Sequence, residues 1–196
     1  MTDWSSLYRD HVGAVSALAP TLTEEQLATT VPATPLWTVR EVLAHMAGGA
    51  HDAMTGRMDN APSPQWTARH VGERRDLPVA DLVAELRSNE DAVAAALEGE
   101  HPFPALVFDI AVHHTDLHEA LGLHPMPERL WAPIAQAMTS RAPALAEAVA
   151  PYDLFRGVFS RRSRAQMQAW GTGLSPDDLD GVCIFGPRED DQPVPA

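Results

Sequence analysis

Four stretches of this chain place apolar residues at three-and-four spacing, with prolines and glycines between them, a pattern that favours an α-helical bundle. In residues 4–18 the stripe is Trp4, Leu7, Tyr8, His11, Val12, Val15 and Leu18, and Pro20 ends it. A short turn of helix follows at TEEQLA, opened by Thr23. The sharpest boundary is at Thr38. Glu41 stands three residues on and Trp37 just before, which is the signature of a capping box, so a helix starts at Val39 and is expected to run to about residue 57. Its stripe is Val39, Leu43, Met46, Ala50 and Met54. A third helix is expected over 79–98, with Leu82, Val83, Leu86, Val93 and Leu97 as its core face, and a fourth ends at Gly122. Residues 127–149 read as a fifth helix that Pro143 kinks.

Residues 59–78 are rich in proline, arginine and aspartate with little periodicity, and are expected to form a long loop that covers a site. After Pro151 the pattern changes to a short arginine-rich helix, RRSRAQMQAW, then a glycine and aspartate loop, then VCIF as a strand or an extended docking segment. An acidic tail is expected from about residue 187. The expected organisation is therefore an all-α domain over 1–150, a four-helix bundle with one additional helix, and a short irregular extension over 151–196 that packs on it.

Composition removes several classes of function. The formal net charge of −13 opposes binding to nucleic acid phosphates or anionic lipid, and the cluster Arg161, Arg162 and Arg164 is too small to reverse that. No apolar run approaches a membrane span and no signal peptide is apparent at the N-terminus, so a cytoplasmic protein is expected. Cys183 is the single cysteine, which rules out an intrachain disulfide or a cysteine-rich zinc knuckle and leaves His, Asp and Glu as metal ligands. The basic residues are all arginine, which excludes lysine Schiff bases, a pyridoxal phosphate anchor and a P-loop.

The polar residues of the fourth helix are the main candidates for chemistry. In FDIAVHHTDLHEALG, Asp109 and His113 are one pair four residues apart, and His114 and His118 are another. At about 100° per residue the two pairs flank the core face on opposite sides, and periodicity does not choose between them. The ordinary reading of each histidine is a boundary residue with local hydrogen bonds. His45 and Asp52 fall nearly opposite the apolar stripe of their helix, where a solvent-facing imidazole is the ordinary expectation. Gly48 and Gly49 beside them weigh against it. Mid-helix glycines cost about 1 kcal/mol each relative to alanine, so they suggest a close approach by another group.

WTVREVLAHM, followed some way on by DIAVHHTDLHEALG, resembles the DinB-like fold and, within it, the N-terminal domain of the mycothiol-dependent maleylpyruvate isomerase family. The resemblance covers roughly the first 122 residues. It implies a divalent ion, usually zinc, held by His45, Asp109 and His113, with Asp109 standing where the isomerase has a longer Glu. Asp116, one turn beyond His113, also matches the motif, and with Asp52 it is a candidate catalytic carboxylate; His114 and His118 have no counterpart.

Three protein ligands leave zinc an open position, which in the resembled family receives the sulfur of mycothiol. The implied function is a metal-dependent, thiol-using enzyme: an isomerase acting by reversible thiol addition, or an S-transferase acting on a small electrophile or acidic substrate. Arg161 and Arg164, one turn apart, are candidates for binding an acidic group of cofactor or substrate. The alternatives are a non-catalytic ligand-binding or regulatory module on the same bundle, and a metal-dependent hydrolase.

Overall fold

A computed structural model describes residues 2–99, 104–123 and 125–190. Every regular element in it is helical, and the described residues contain only isolated β-bridges. Helix α1 spans Trp4–Leu18, capped by Asp3, whose carboxylate accepts from the Ser6 amide. The short α2, Glu24–Leu27, and the long α3, Val39–Thr55, each open with a capping box, Thr23 with Gln26 and Thr38 with Glu41. These reciprocal bonds fill amide groups that would otherwise lack partners at the helix start. Gly56, with φ of 75°, closes α3 in the left-handed conformation.

The segment expected to be a loop holds a helix, α4, Pro64–Arg74. Ser63 caps it and Pro64 occupies its first turn, both ordinary start signals. Its inward face consists of Trp66, His70, Val71 and Arg74, so the apolar periodicity that marks the other helices is nearly absent from it.

The expected third helix is broken at Asn89 into α5, Val79–Ser88, and α6, Glu90–Ala96. Helix α7, Ala105–Ala120, carries the polar stretch, and Gly122 beyond it has φ of 59°. The expected fifth helix is also two, α8, Glu128–Met138, and α9, Pro143–Ala148. Pro143 starts a new helix instead of kinking one, because its ring cannot follow a helical residue without strain.

Helices α1, α3, α5 with α6, and α7 form the bundle: α1 touches α7 and α6, and α3 touches α7 and α5. Leu7, Val12, Val15, Val39, Val42, Leu86, Val107 and Leu117 fill the space between them. Helix α4 lies against α3.

The C-terminal part comprises α10, Pro151–Val158, α11, Arg164–Gln168, and α12, Pro176–Val182. Helix α10 packs on α8. The VCIF segment is neither a strand nor an extended segment: Val182 ends α12 and Ile184 and Phe185 form a turn, in which the Ile184 amide donates to the Val158 carbonyl. Arg188 donates to the carbonyls of Pro32 and Ala33 at 3.1 and 3.0 Å, so the start of the expected acidic tail is tied to the bundle; residues 191–196 lie outside the described residues. No described helix is long and apolar enough to cross a membrane.

Candidate metal centre

Helices α3 and α7 cross with their polar faces together, and this brings His45 beside Asp109 and His113. His45 Nε2 lies 3.4 Å from Asp109 Oδ1, and His113 Nε2 lies 3.7 Å from the same oxygen. One ligand atom from each residue can be chosen so that all three stand within 4.8 Å of one another. Donors about 2.0–2.1 Å from a tetrahedral ion stand roughly 3.3 Å apart, so these separations suit three ligands of one ion and are long for hydrogen bonds. Asp109 retains 31% side-chain exposure while both imidazoles are buried, which leaves the carboxylate side as the open side of the cluster. Burial opposes ionisation of Asp109, but the imidazoles of His45 and His113 and the Arg161 guanidinium outweigh it and hold the carboxyl down at about 2.

His45 is 2% exposed, so the expectation of a solvent-facing imidazole does not hold. The reason is α4, which covers that face. Trp37 and Trp66 enclose the ring, with centroids 4.9 and 6.0 Å away, and His70 stacks on it. Gly48 has the role its cost suggested, while Gly49 meets its neighbours only at ordinary contact distance. A Cβ on Gly48 would stand 2.6 Å from His70 Cγ, and one on Gly49 would meet Trp66 and Asp109 at 3.8 Å.

His113 is supported from beneath. Its Nδ1 is 3.0 Å from Asp116 Oδ2, and Arg161, which can only donate, directs Nη2 to His113 Nε2 at 3.5 Å. Nε2 then carries the lone pair, with Arg161 Nη2 at 3.5 Å and Asp109 Oδ1 at 3.7 Å. Asp116 is fully buried and receives Arg156 Nη2 at 2.5 Å and Arg161 Nε at 3.0 Å. Burial works against its charge, yet the two guanidiniums dominate and keep it far below the usual carboxylate range. Arg156 and Arg162 continue the network to Glu119, which fastens the segment after residue 150 to α7.

The candidate residues thus separate. His45, Asp109 and His113 meet at one point, Asp116 lies directly behind His113, and Arg161 reaches the rim. Asp52 sits one residue removed, 2.9 Å from His70 Nε2 and in contact with Arg69, with no direct contact to the three. Arg164 pairs with Asp180 and Glu189 and does not approach the cluster. His114 turns the other way, with Nδ1 3.0 Å from His11 Nδ1.

Sequence reading missed His70 and Arg156. Arg156 is the one charged residue inside the run LFRGVF, a position that signals a buried partner. For His70 the signal was on another helix, in Gly48.

Comparison with curated proteins and with solved structures returns no match. A family model does match, that of the mycothiol maleylpyruvate isomerase N-terminal domain, over residues 8–150. The match spans both helices that carry the cluster and most of the chain, and so this all-helical, DinB-like chain with its convergent His–Asp–His cluster belongs to the mycothiol maleylpyruvate isomerase N-terminal domain family.

Proposed function

We propose that the chain is a cytoplasmic metal-dependent enzyme that uses a small thiol, mycothiol by family, to act on a small electrophile, either as an isomerase through reversible thiol addition or as an S-transferase. The observation that carries this reading is the convergence of His45, Asp109 and His113 from two helices, with both Nε2 atoms and a carboxylate oxygen facing one point. A divalent ion held there, zinc by its donor set, supplies Lewis acidity that lowers the pKa of a thiol at its open position. The protein then needs no cysteine nucleophile, and buried Cys183, whose thiol burial pushes up, is unsuited to be one.

The surrounding residues favour an anionic, partly flat partner. Arg161 Nη2 stands 3.5 Å from His113 Nε2 and is the donor best placed for a thiolate or a substrate carboxylate. Trp37 lines the cluster against both imidazoles, at 4.9 and 5.8 Å between centroids, and gives an apolar wall. Asp116, neutralised by Arg156 and Arg161, lies 3.0 Å from His113 Nδ1, the ring nitrogen turned away from the cluster.

The test is turnover of a small electrophile, such as a maleyl-type unsaturated acid or a chloronitroarene, by zinc-loaded protein with and without added mycothiol. Turnover that requires the thiol and is lost in His113→Ala supports the reading. Turnover without thiol moves the assignment to a hydrolase, and metal binding with no turnover moves it to a binding module.

A further inference from the structure

We propose that His70 is a positioning residue that fixes His45 in its Nδ1–H tautomer, so that the Nε2 lone pair of His45 faces Asp109 and His113. The inference rests on the metal-site reading above. It starts from a pair of imidazoles, His45 Nδ1 and His70 Nδ1, 3.0 Å apart and both buried. At that distance one nitrogen carries the hydrogen and the other is bare. Which one is decided further out.

His70 Nε2 is 2.9 Å from Asp52 Oδ2. Asp52 is fully buried, Arg69 donates to the same oxygen, and Arg57 lies 3.6 Å from the other. A carboxylate flanked by two guanidiniums is ionised and only accepts, so His70 Nε2 is the donor. Arg69 matches the charge of Asp52, Arg57 being engaged by Glu73 at 2.6 Å, and a neutral His70 with its hydrogen on Nε2 has a bare Nδ1. His45 Nδ1 must then donate to it, and His45 Nε2 carries no hydrogen. The 3.4 Å separation of that nitrogen from Asp109 Oδ1 agrees, being long for a hydrogen bond and fitting for two ligands.

The fold is built to admit this arrangement. Gly48 stands one turn after Ala44 on α3, and any Cβ there would come within 2.7 Å of two His70 atoms, His70 Cγ and Cβ. Trp66 packs against the His70 ring in a T-shaped contact with centroids 4.2 Å apart. Metal-bound histidines commonly have the second nitrogen held by a carboxylate or carbonyl, and loss of such a partner lowers affinity about 10–100-fold. Here the hydrogen-bond chain reaches the carboxylate through a second imidazole.

The experiment has two readouts. Long-range 15N–1H NMR of the metal-free protein identifies the tautomer of His45, and competition with a chromophoric chelator gives the zinc affinity of wild type, H70A, H70Q and G48A. We expect Nδ1–H on His45 in wild type, a shift toward Nε2–H in H70A and G48A, and zinc affinity about 10–100-fold weaker in both. H70Q, which can accept from His45 and donate to Asp52, should recover most of the loss. G48A, on the neighbouring helix, displaces His70 while keeping its imidazole, and so gives a second reading if H70A does not fold. An Nε2–H tautomer in wild type, or unchanged tautomer and affinity in H70A and G48A, overturns the proposal. If wild type binds no divalent ion, the metal reading fails, and the tautomer still decides the role of His70.

Discussion

The two flanks of α7 carry the same kind of residue at the same spacing and are built for different ends. On one flank His113 has Asp116 behind it and Asp109 in front, and two buried arginines balance the carboxylates. On the other flank His114 lies against imidazoles: Nδ1 of His11 at 3.0 Å and the His118 ring with centroids 4.9 Å apart. His11 Nε2 lies 3.1 Å from the Leu130 carbonyl, an acceptor, so it donates there, its Nδ1 is bare, and His114 Nδ1 supplies the shared hydrogen. That pair shares one hydrogen and is a polar link within the core. The difference shows that spacing places histidines on a face, while the neighbouring elements decide whether an imidazole nitrogen converges with other possible ligands, as His113 does with His45 and Asp109.

The largest expected effect follows from the charge on the His113 flank. Asp116→Asn leaves Arg156 and Arg161 buried against a neutral partner, a change that costs about 3–5 kcal/mol for a broken buried ion pair. His114→Leu replaces a buried imidazole with an apolar group of similar size and should cost well under half of that. Guanidinium unfolding of the two variants measures the contrast, and equal losses would erase the distinction between the flanks.

Acid should expose the other flank. Burial pushes His11 down to about 4 and His114 to about 2, the neighbouring imidazoles adding to the shift for His114. Unfolded histidine titrates near 6.5, so below that pH the unfolded chain binds protons that the folded chain refuses. Stability from this pair is complete above about 6.5 and falls as pH drops toward the folded values; for His11 alone the span corresponds to roughly 3 kcal/mol. His70 and His113 are also pushed down, chiefly by burial, and contribute in the same direction. The paired carboxylates have lowered values and lose their contribution only nearer pH 4 and below, so the window from 6.5 to 4.5 isolates the histidines. In a His11→Leu, His114→Leu double variant the slope of unfolding free energy against pH in that window should shrink. An unchanged slope would mean that this pair is not held neutral by burial.

Much of the fold was legible because its determinants are local. The Thr38–Glu41 capping box fixes the start of α3, and the Trp4–Leu18 stripe matches α1 end to end. Asn89 and Pro143 break helices that periodicity joins, because the apolar pattern continues across the break while the backbone does not. Helix α4 escaped notice for a different reason. Its buried face is Trp66, His70 and Arg74, whose partners Asp52 and Glu85 lie on α3 and α5, so its amphipathicity exists only in the folded context. The same gap hid the burial of His45. The ligand set of α7 was narrowed by family resemblance, since periodicity left both flanks open, and the geometry now separates them by what stands behind each imidazole.

The most direct measurement is divalent metal per chain, by elemental analysis after zinc loading and desalting, in wild type and in the His45→Ala, His113→Ala and His114→Ala variants. The account predicts about one ion per chain in wild type and in His114→Ala, as expected for a three-ligand site that His114 does not join, and near none in the other two. Wild type without an ion, or equal loss in His113→Ala and His114→Ala, would contradict it.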